Sequence, residues 1–208
     1  MGSNRTIRKI KPLNLKNAGN YYLSQGFNRR GESSNDCGPT SAAMVLNVLN
    51  HARQGKPKPV TKEKVIRAFP VLGRLPGWMP AVGGASAPWG LTAAFNKVAD
   101  RLRLGWEAQR MRNATLQDIV ENLKLGNQVS MLRFWKEGGA HWSNVVKILP
   151  AKDQIFMLDP SPYLADKHGS KKIQLVSWRE CRQDWERRPW YARLLRLQKE
   201  LVIYKRKV

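Results

Sequence analysis

The spacing of apolar residues changes near residue 127, and that change constrains the fold more than any other feature of the chain. Before it, apolar side chains recur at helical spacing; beyond it they gather in short alternating or β-branched runs bounded by turn residues. Ala42, Ala43, Val45, Leu46, Val48 and Leu49 predict a helix from near Cys37 to Asn50, with Pro39 and Thr40 in a first turn that tolerates proline. A shorter helix is predicted behind a Thr61 cap, and two amphipathic ones over Trp89 to Arg103 and Thr115 to Leu125, with Asp118 at the capping-box position of the latter. Residues 75–90, rich in Gly, Pro and Trp, read as a long surface loop. QVSMLRFW, HWSNVVKIL and QIFMLDP predict three strands, the last two joined by the turn PAKD, and KKIQLVSW a fourth. From Trp178 a helix is expected to stop near Pro189, followed by a basic amphipathic helix or an edge strand. Helices first and an antiparallel sheet afterwards give an α+β class with two facing layers. The expected organisation is a basic arm or linker remnant over 1–20 and one domain over 21–208, divided into a helical lobe (21–126) and a sheet lobe (127–208).

With 208 residues the chain can bury a core without cross-links, and two cysteines cannot form a disulfide framework. Each thiol is therefore judged by its surroundings. The 37 Lys+Arg against 15 Asp+Glu give a net charge of +22, which draws a protein towards polyanions: nucleic acid, an anionic membrane surface or an acidic protein. A solvated basic surface accounts for the same excess, and the basic residues are scattered with no nucleic-acid reader motif. No run approaches the ~18 uninterrupted apolar residues of a membrane span, so a soluble chain without such a span is expected.

Cys37 stands at the predicted start of the first helix. A thiol there faces unpaired backbone N–H groups and the positive end of the helix dipole, both of which favour thiolate, and its own N–H is positioned for an oxyanion forming beside the sulfur. Gly38 would let substrate backbone come close. A thiolate nucleophile needs a base that can pass a proton on, and histidine is the usual choice. His51 lies at the far end of the same helix, roughly 20 Å away at ~1.5 Å per residue, and is excluded. His168 sits in a polar loop, where solvation is the ordinary state. His141 follows Gly138-Gly139-Ala140 and opens a strand, which gives access on one side and a fixed backbone on the other. An ordinary half-buried strand histidine fits the same pattern. Asp159 ends the partner strand and is the candidate to orient the imidazole, although Asp-Pro is also a common turn former. Cys181, between Arg179 and Arg182 with no histidine nearby, reads as a packed side chain. No Cys/His pair has metal-ligand spacing, and no phosphate-cradling motif calls for a cofactor.

NDCGPTSAAMVLN, GGAHWSNVVKI and MLDPSP, in that order, resemble the cysteine, histidine and aspartate blocks of papain-like cysteine peptidases, closest to the bacteriocin-processing double-glycine branch and its stand-alone relatives. SWRECRQDW resembles the trailing segment, so the likeness spans about residues 21–187. It implies a papain-like fold, a Cys37–His141–Asp159 triad, no cofactor and a protein substrate cut after Gly-Gly. It also implies an oxyanion-hole glutamine upstream of the cysteine. Gln25 is the candidate, with NRRGESS as an insertion between them; Asn35 and Asn28 are the alternative amides. Trp78, Trp89 and Trp142 are candidate cleft walls, with core packing the competing fate for some of them. A basic stand-alone domain of this kind resembles a bacterial effector or toxin module acting in a target cell's cytoplasm, with an acidic immunity protein over its cleft. Two other functions use the same features: acyl transfer or deamidation by the same triad, and a catalytically silent nucleic-acid-binding module on this fold.

Overall fold

The computed structural model describes residues 13–26, 34–54, 58–75, 84–136, 138–162 and 173–207. Helix α1 spans Cys37–Gln54. Its start is fixed by Asp36, whose carbonyl accepts both the Thr40 N–H (2.9 Å) and the Thr40 hydroxyl (2.7 Å), while Pro39 falls where no N–H is needed. Ala42, Ala43, Val45, Leu46 and Leu49 are buried. Helix α2 (Lys62–Ile66) is capped by the Thr61 hydroxyl as expected, and the Asn47 amide ties α1 to the chain just before it by bonding both the N–H and the carbonyl of Val60.

Helix α3 spans Pro88–Arg101 with proline in its first turn. It starts inside the segment predicted to be a surface loop, and the flank leading into it is no surface either. Ala85, Ser86 and Ala87 are buried, and Arg74 and Ser86 form an antiparallel bridge. Gly90 makes this closure possible, since a Cβ there would stand 2.0 Å from the Gly73 carbonyl oxygen.

Six antiparallel strands form one sheet: β1 (Trp106–Met111), β2 (Gln128–Phe134), β3 (Ala140–Leu149), β4 (Gln154–Leu158), β5 (Gln174–Ser177) and β6 (Leu201–Arg206), in the order β1-β6-β2-β3-β4-β5. Strands β2 to β5 lie where alternation placed them. Strand β1 went unpredicted and belongs to the stretch assigned to the helical lobe. The tail after Trp178 holds helix α5 (Trp178–Glu186), a short helix α6 (Trp190–Leu194) and β6, an inner strand rather than an edge.

The sheet is covered on both faces. One core packs α1 and α3 against Leu132, Phe134, Trp142, Val146, Val202 and Tyr204. The other packs α5 and α4 (Leu116–Lys124, opened by the Thr115/Asp118 capping box) against Val129, Met131, Val145, Met157 and Ile203. The expected two layers thus become three, which explains why every residue of β2 is buried. Of the N-terminal arm, Leu13 and Ala18 are buried, and the Leu13 N–H donates to the Gln128 side chain at 3.0 Å; residues 1–12 lie outside the described set. No helix among the described residues is long and apolar enough to cross a membrane.

A chain of buried polar groups joins α1 to the sheet. Ser41 donates to the Trp142 carbonyl (3.2 Å) and accepts at its own carbonyl from the Asn144 amide (3.0 Å). Asn144 accepts from the Ser130 hydroxyl (2.5 Å), which stands 2.9 Å from the Tyr204 hydroxyl. These bonds fix the position of α1 over β3, and with it the place of Cys37 relative to His141.

Candidate active site

Cys37 is the first residue of α1 and is buried. The loop before it is anchored by Asp36, whose carboxylate binds Arg74 at 2.9 Å and Lys62 at 3.4 Å. Gly38 is not open to a substrate backbone as expected. A Cβ on it would lie 2.7 Å from Ser86 Cβ and 3.1 Å from Trp142 Cδ1, so the missing side chain admits the 84–87 segment against the helix.

His141 is the second residue of β3. The glycines before it, Gly138 (φ 98°) and Gly139 (φ 92°), take left-handed backbone conformations that other residues adopt at a cost. Tyr191 of α6 donates to the Gly139 carbonyl at 2.9 Å and pins this approach. The imidazole Nε2 lies 2.7 Å from Asp159 Oδ1, and the Cys37 sulfur is close enough to the ring to favour its protonated form. With Nε2 on the carboxylate, Nδ1 is the nitrogen left for the sulfur. The structure therefore brings Cys37, His141 and Asp159, which are far apart in sequence, to one place.

Burial pulls the His141 pKa down, but the Asp159 carboxylate and the Cys37 sulfur outweigh it, leaving the pKa raised from 6.5 to about 9. The imidazole is thus a cation at neutral pH. Burial likewise pushes Asp159 up, and the pull of His141, of Arg133 and of the Ser161 N–H (2.9 Å) wins, holding the carboxyl below its ordinary range.

Two neighbours were absent from the sequence reading. Arg133 binds Asp159 Oδ2 at 2.8 Å, and Trp135 stacks on the His141 ring with centroids 5.5 Å apart. The signal for Arg133 was present, since an arginine between Leu132 and Phe134 in an apolar strand must find a buried partner. Strand register makes it the direct neighbour of His141. Trp135 carried no such signal.

The remaining candidates sort by position. Trp142, 1 % exposed with its indole N–H donating to the Ser86 carbonyl (3.0 Å), is a core side chain and has no surface for a cleft wall. Trp89 is 37 % exposed at the start of α3, bonded to the Leu72 carbonyl (2.9 Å) and covered by the Arg110 guanidinium; Trp78 lies outside the described residues. Gln25 is buried, and its N–H donates to the Pro160 carbonyl at 2.8 Å, which sets it next to the residue after Asp159. Its side-chain Nε2 donates to the Ser34 carbonyl, and Gly26 and Ser34, flanking 27–33, are bonded to each other at 3.0 Å. Ser34, the last residue of the proposed insertion, is therefore tied back to Gln25 and Gly26. Asn35 is exposed, its carbonyl bound by Arg74, and Asn28 lies outside the described residues. His51 is exposed and meets only the Tyr21 ring edge-on among the ring contacts; His168 is outside the described set. Cys181 is packed against Met131 and Met157, and burial pushes its thiol up to about 11, so it is an inert side chain at neutral pH.

No protein-family model matches the sequence, and no curated protein does. Solved structures do match. The peptidase domain of Streptococcus ComA, described as a bifunctional ABC transporter involved in quorum sensing, is 14 % identical with a TM-score of 0.51, covering 89 % of this chain and 98 % of that one. A Bacillus anthracis protein described as a C39-like peptidase is 14 % identical with a TM-score of 0.52, covering 89 % of this chain and 94 % of that one. The chain has the papain-like fold of C39 peptidase domains.

Proposed function

We propose that the protein is a cysteine endopeptidase working through Cys37, His141 and Asp159. The observation that carries this is one buried histidine held between a carboxylate and a sulfur at a helix N-terminus. In that arrangement the Cys37 sulfur attacks the scissile carbonyl carbon, and the oxyanion meets the Cys37 backbone N–H. His141, protonated at rest, gives its proton to the leaving amine as the C–N bond breaks, leaving a thioester on Cys37. The neutral imidazole then takes a proton from water, whose oxygen displaces the sulfur. Asp159 keeps the ring in register through both steps. Gln25, buried beside Pro160, is the candidate side-chain donor to the oxyanion that the likeness of the sequence blocks implies.

The double-glycine preference comes from the likeness of the sequence blocks, and the +22 charge supports an acidic protein partner, the form an immunity protein of a toxin module would take. Expressing wild type and Cys37→Ala in cells and comparing new protein N-termini tests the proposal. Termini specific to the wild type are expected, with Gly-Gly before the cut. Substrates modified without new termini would assign acyl transfer or deamidation instead, and identical profiles with no modification would remove the enzyme reading.

A further inference from the structure

Arg133 is 3 % exposed and projects from β2 beside His141 in strand register. One of its terminal nitrogens lies 2.8 Å from Asp159 Oδ2 and 3.2 Å from the Ser143 hydroxyl, and its guanidinium covers the Trp135 ring at 4.9 Å. The two carboxylate oxygens of Asp159 are served differently. Oδ1 meets both His141 Nε2 and the Ser161 N–H, whereas Oδ2 meets Arg133 alone among the described residues. A buried carboxylate oxygen without a partner is costly, so the guanidinium fixes the rotation of the carboxylate and hence the direction in which Oδ1 aims at the imidazole.

The charges along this line alternate: Arg133 positive, Asp159 negative, His141 positive, and the Cys37 sulfur next to it. We infer that Arg133 is a positioning residue of this site, whose buried cation offsets the negative charge that a Cys37 thiolate adds beside the Asp159 carboxylate and the His141 imidazolium. This rests on the assignment of Cys37 and His141 as reacting partners. Without Arg133, the Asp159–His141 pair is already neutral, and ionising Cys37 would leave one uncompensated negative charge in a buried place. With it, the three members sum to one positive charge that the thiolate cancels. Among the described residues no other lysine or arginine is paired with Asp159. On α5, Asp184 is engaged with Arg187 at 3.4 Å, and Cys181, beside Arg133, is held as a neutral thiol. In front of Cys37, Asp36 is paired with Arg74 and Lys62, and on the ring side His141 meets the uncharged Trp135.

The test is the pH profile of iodoacetamide alkylation at Cys37, read by peptide mass so that Cys181 does not contribute. It needs no substrate. Arg133→Gln keeps a donor for Oδ2 and removes the charge; Arg133→Lys keeps the charge on a different head group. The acid limb of the profile is expected to move up by about one pH unit in Arg133→Gln, a tenfold slowing below the limb, and to stay near the wild-type position in Arg133→Lys. A purely structural role would alter folding and leave the limb in place, so an unmoved limb in folded Arg133→Gln overturns the inference. If Arg133→Gln does not fold, the paired variant Asp159→Asn/Arg133→Gln, which leaves no lone buried charge, decides. Its folding ties Arg133 to the carboxylate, and its failure to fold overturns that tie. A wild type that cuts no protein while its limb moves with Arg133 would refute the peptidase reading and leave this inference standing. Active wild type with an unmoved limb would do the reverse.

Discussion

At the scale of single residues, the site depends on a proton held where an isolated histidine would have lost it. With the His141 pKa raised to about 9, the imidazolium that the proposed mechanism uses as its acid persists through neutral pH and is lost above it. Initial rates on a peptide substrate are therefore expected to fall as pH rises through about 9. Asp159→Asn removes the charge that holds the proton, and the alkaline limb should drop towards 6.5 while kcat falls about a hundredfold or more. An alkaline limb unchanged by this substitution would contradict the arrangement. Gly38→Ala probes a different contact. Its Cβ, 2.7 Å from Ser86 Cβ, has to push the 84–87 segment off α1, and overpacking of this kind costs about 1–3 kcal/mol, to be read from chemical denaturation. Had Gly38 lined an open cleft, the same change would leave stability untouched and impair substrate binding.

At the scale of elements, the sequence was legible wherever an element presents one face to a core and another to solvent. The Thr115/Asp118 capping box, the Thr61 cap and the hairpin of β3 and β4 were all readable from local chemistry. Strand β6 was ambiguous because Leu201, Val202, Ile203 and Tyr204 are buried on both faces, and an unbroken apolar run has no period to separate helix from strand. Strand β1 is the opposite case. WEAQRM carries charge and alanine, and it is a strand because β6 pairs with it along its whole length and Arg110 forks onto Glu200 with both bonds at 2.7 Å. Neither fact is local. Cys37, His141 and Asp159 could be singled out because their residue types are few, while Trp142 was misjudged because nothing in the sequence tells a buried indole from a wall of a cleft. The bonds between α1 and the sheet are equally invisible before folding, and they invite a test. Asn144→Ala would remove one bond from the Ser41 carbonyl and one from the Ser130 hydroxyl, at about 0.5–1.5 kcal/mol for each bond lost. Because these bonds also set α1 over β3, alkylation of Cys37 should slow even in protein that is fully folded at the assay temperature. Loss of stability with unchanged alkylation would mean that the helix is located by apolar packing alone.

For the whole molecule, two kinds of charge act on stability, and salt separates them. The excess of +22 is spread through the chain, and repulsion among exposed charges is screened within about 10 Å at 0.1 M salt, so the melting temperature should rise with ionic strength. The Arg133–Asp159–His141 cluster is buried and gains little from salt. Its contribution follows pH instead. A histidine whose pKa is higher folded than unfolded stabilises fully below about 6.5, and that contribution is gone once pH has passed about 9. Asp159, lowered in the folded state, behaves oppositely, stabilising above the ordinary carboxylate range and ceasing to do so in acid. Between pH 6.5 and 9 the carboxylate is fully ionised, so Asp159 adds nothing to the decline in stability that His141 causes across that window. Melting curves at several salt concentrations should then run parallel, displaced upward by salt but sharing one downward slope between these pH values, and His141→Phe should flatten the slope while keeping the displacement. A slope that vanished at high salt would mean that the titrating charge is at the surface, and would take the buried imidazolium out of the account.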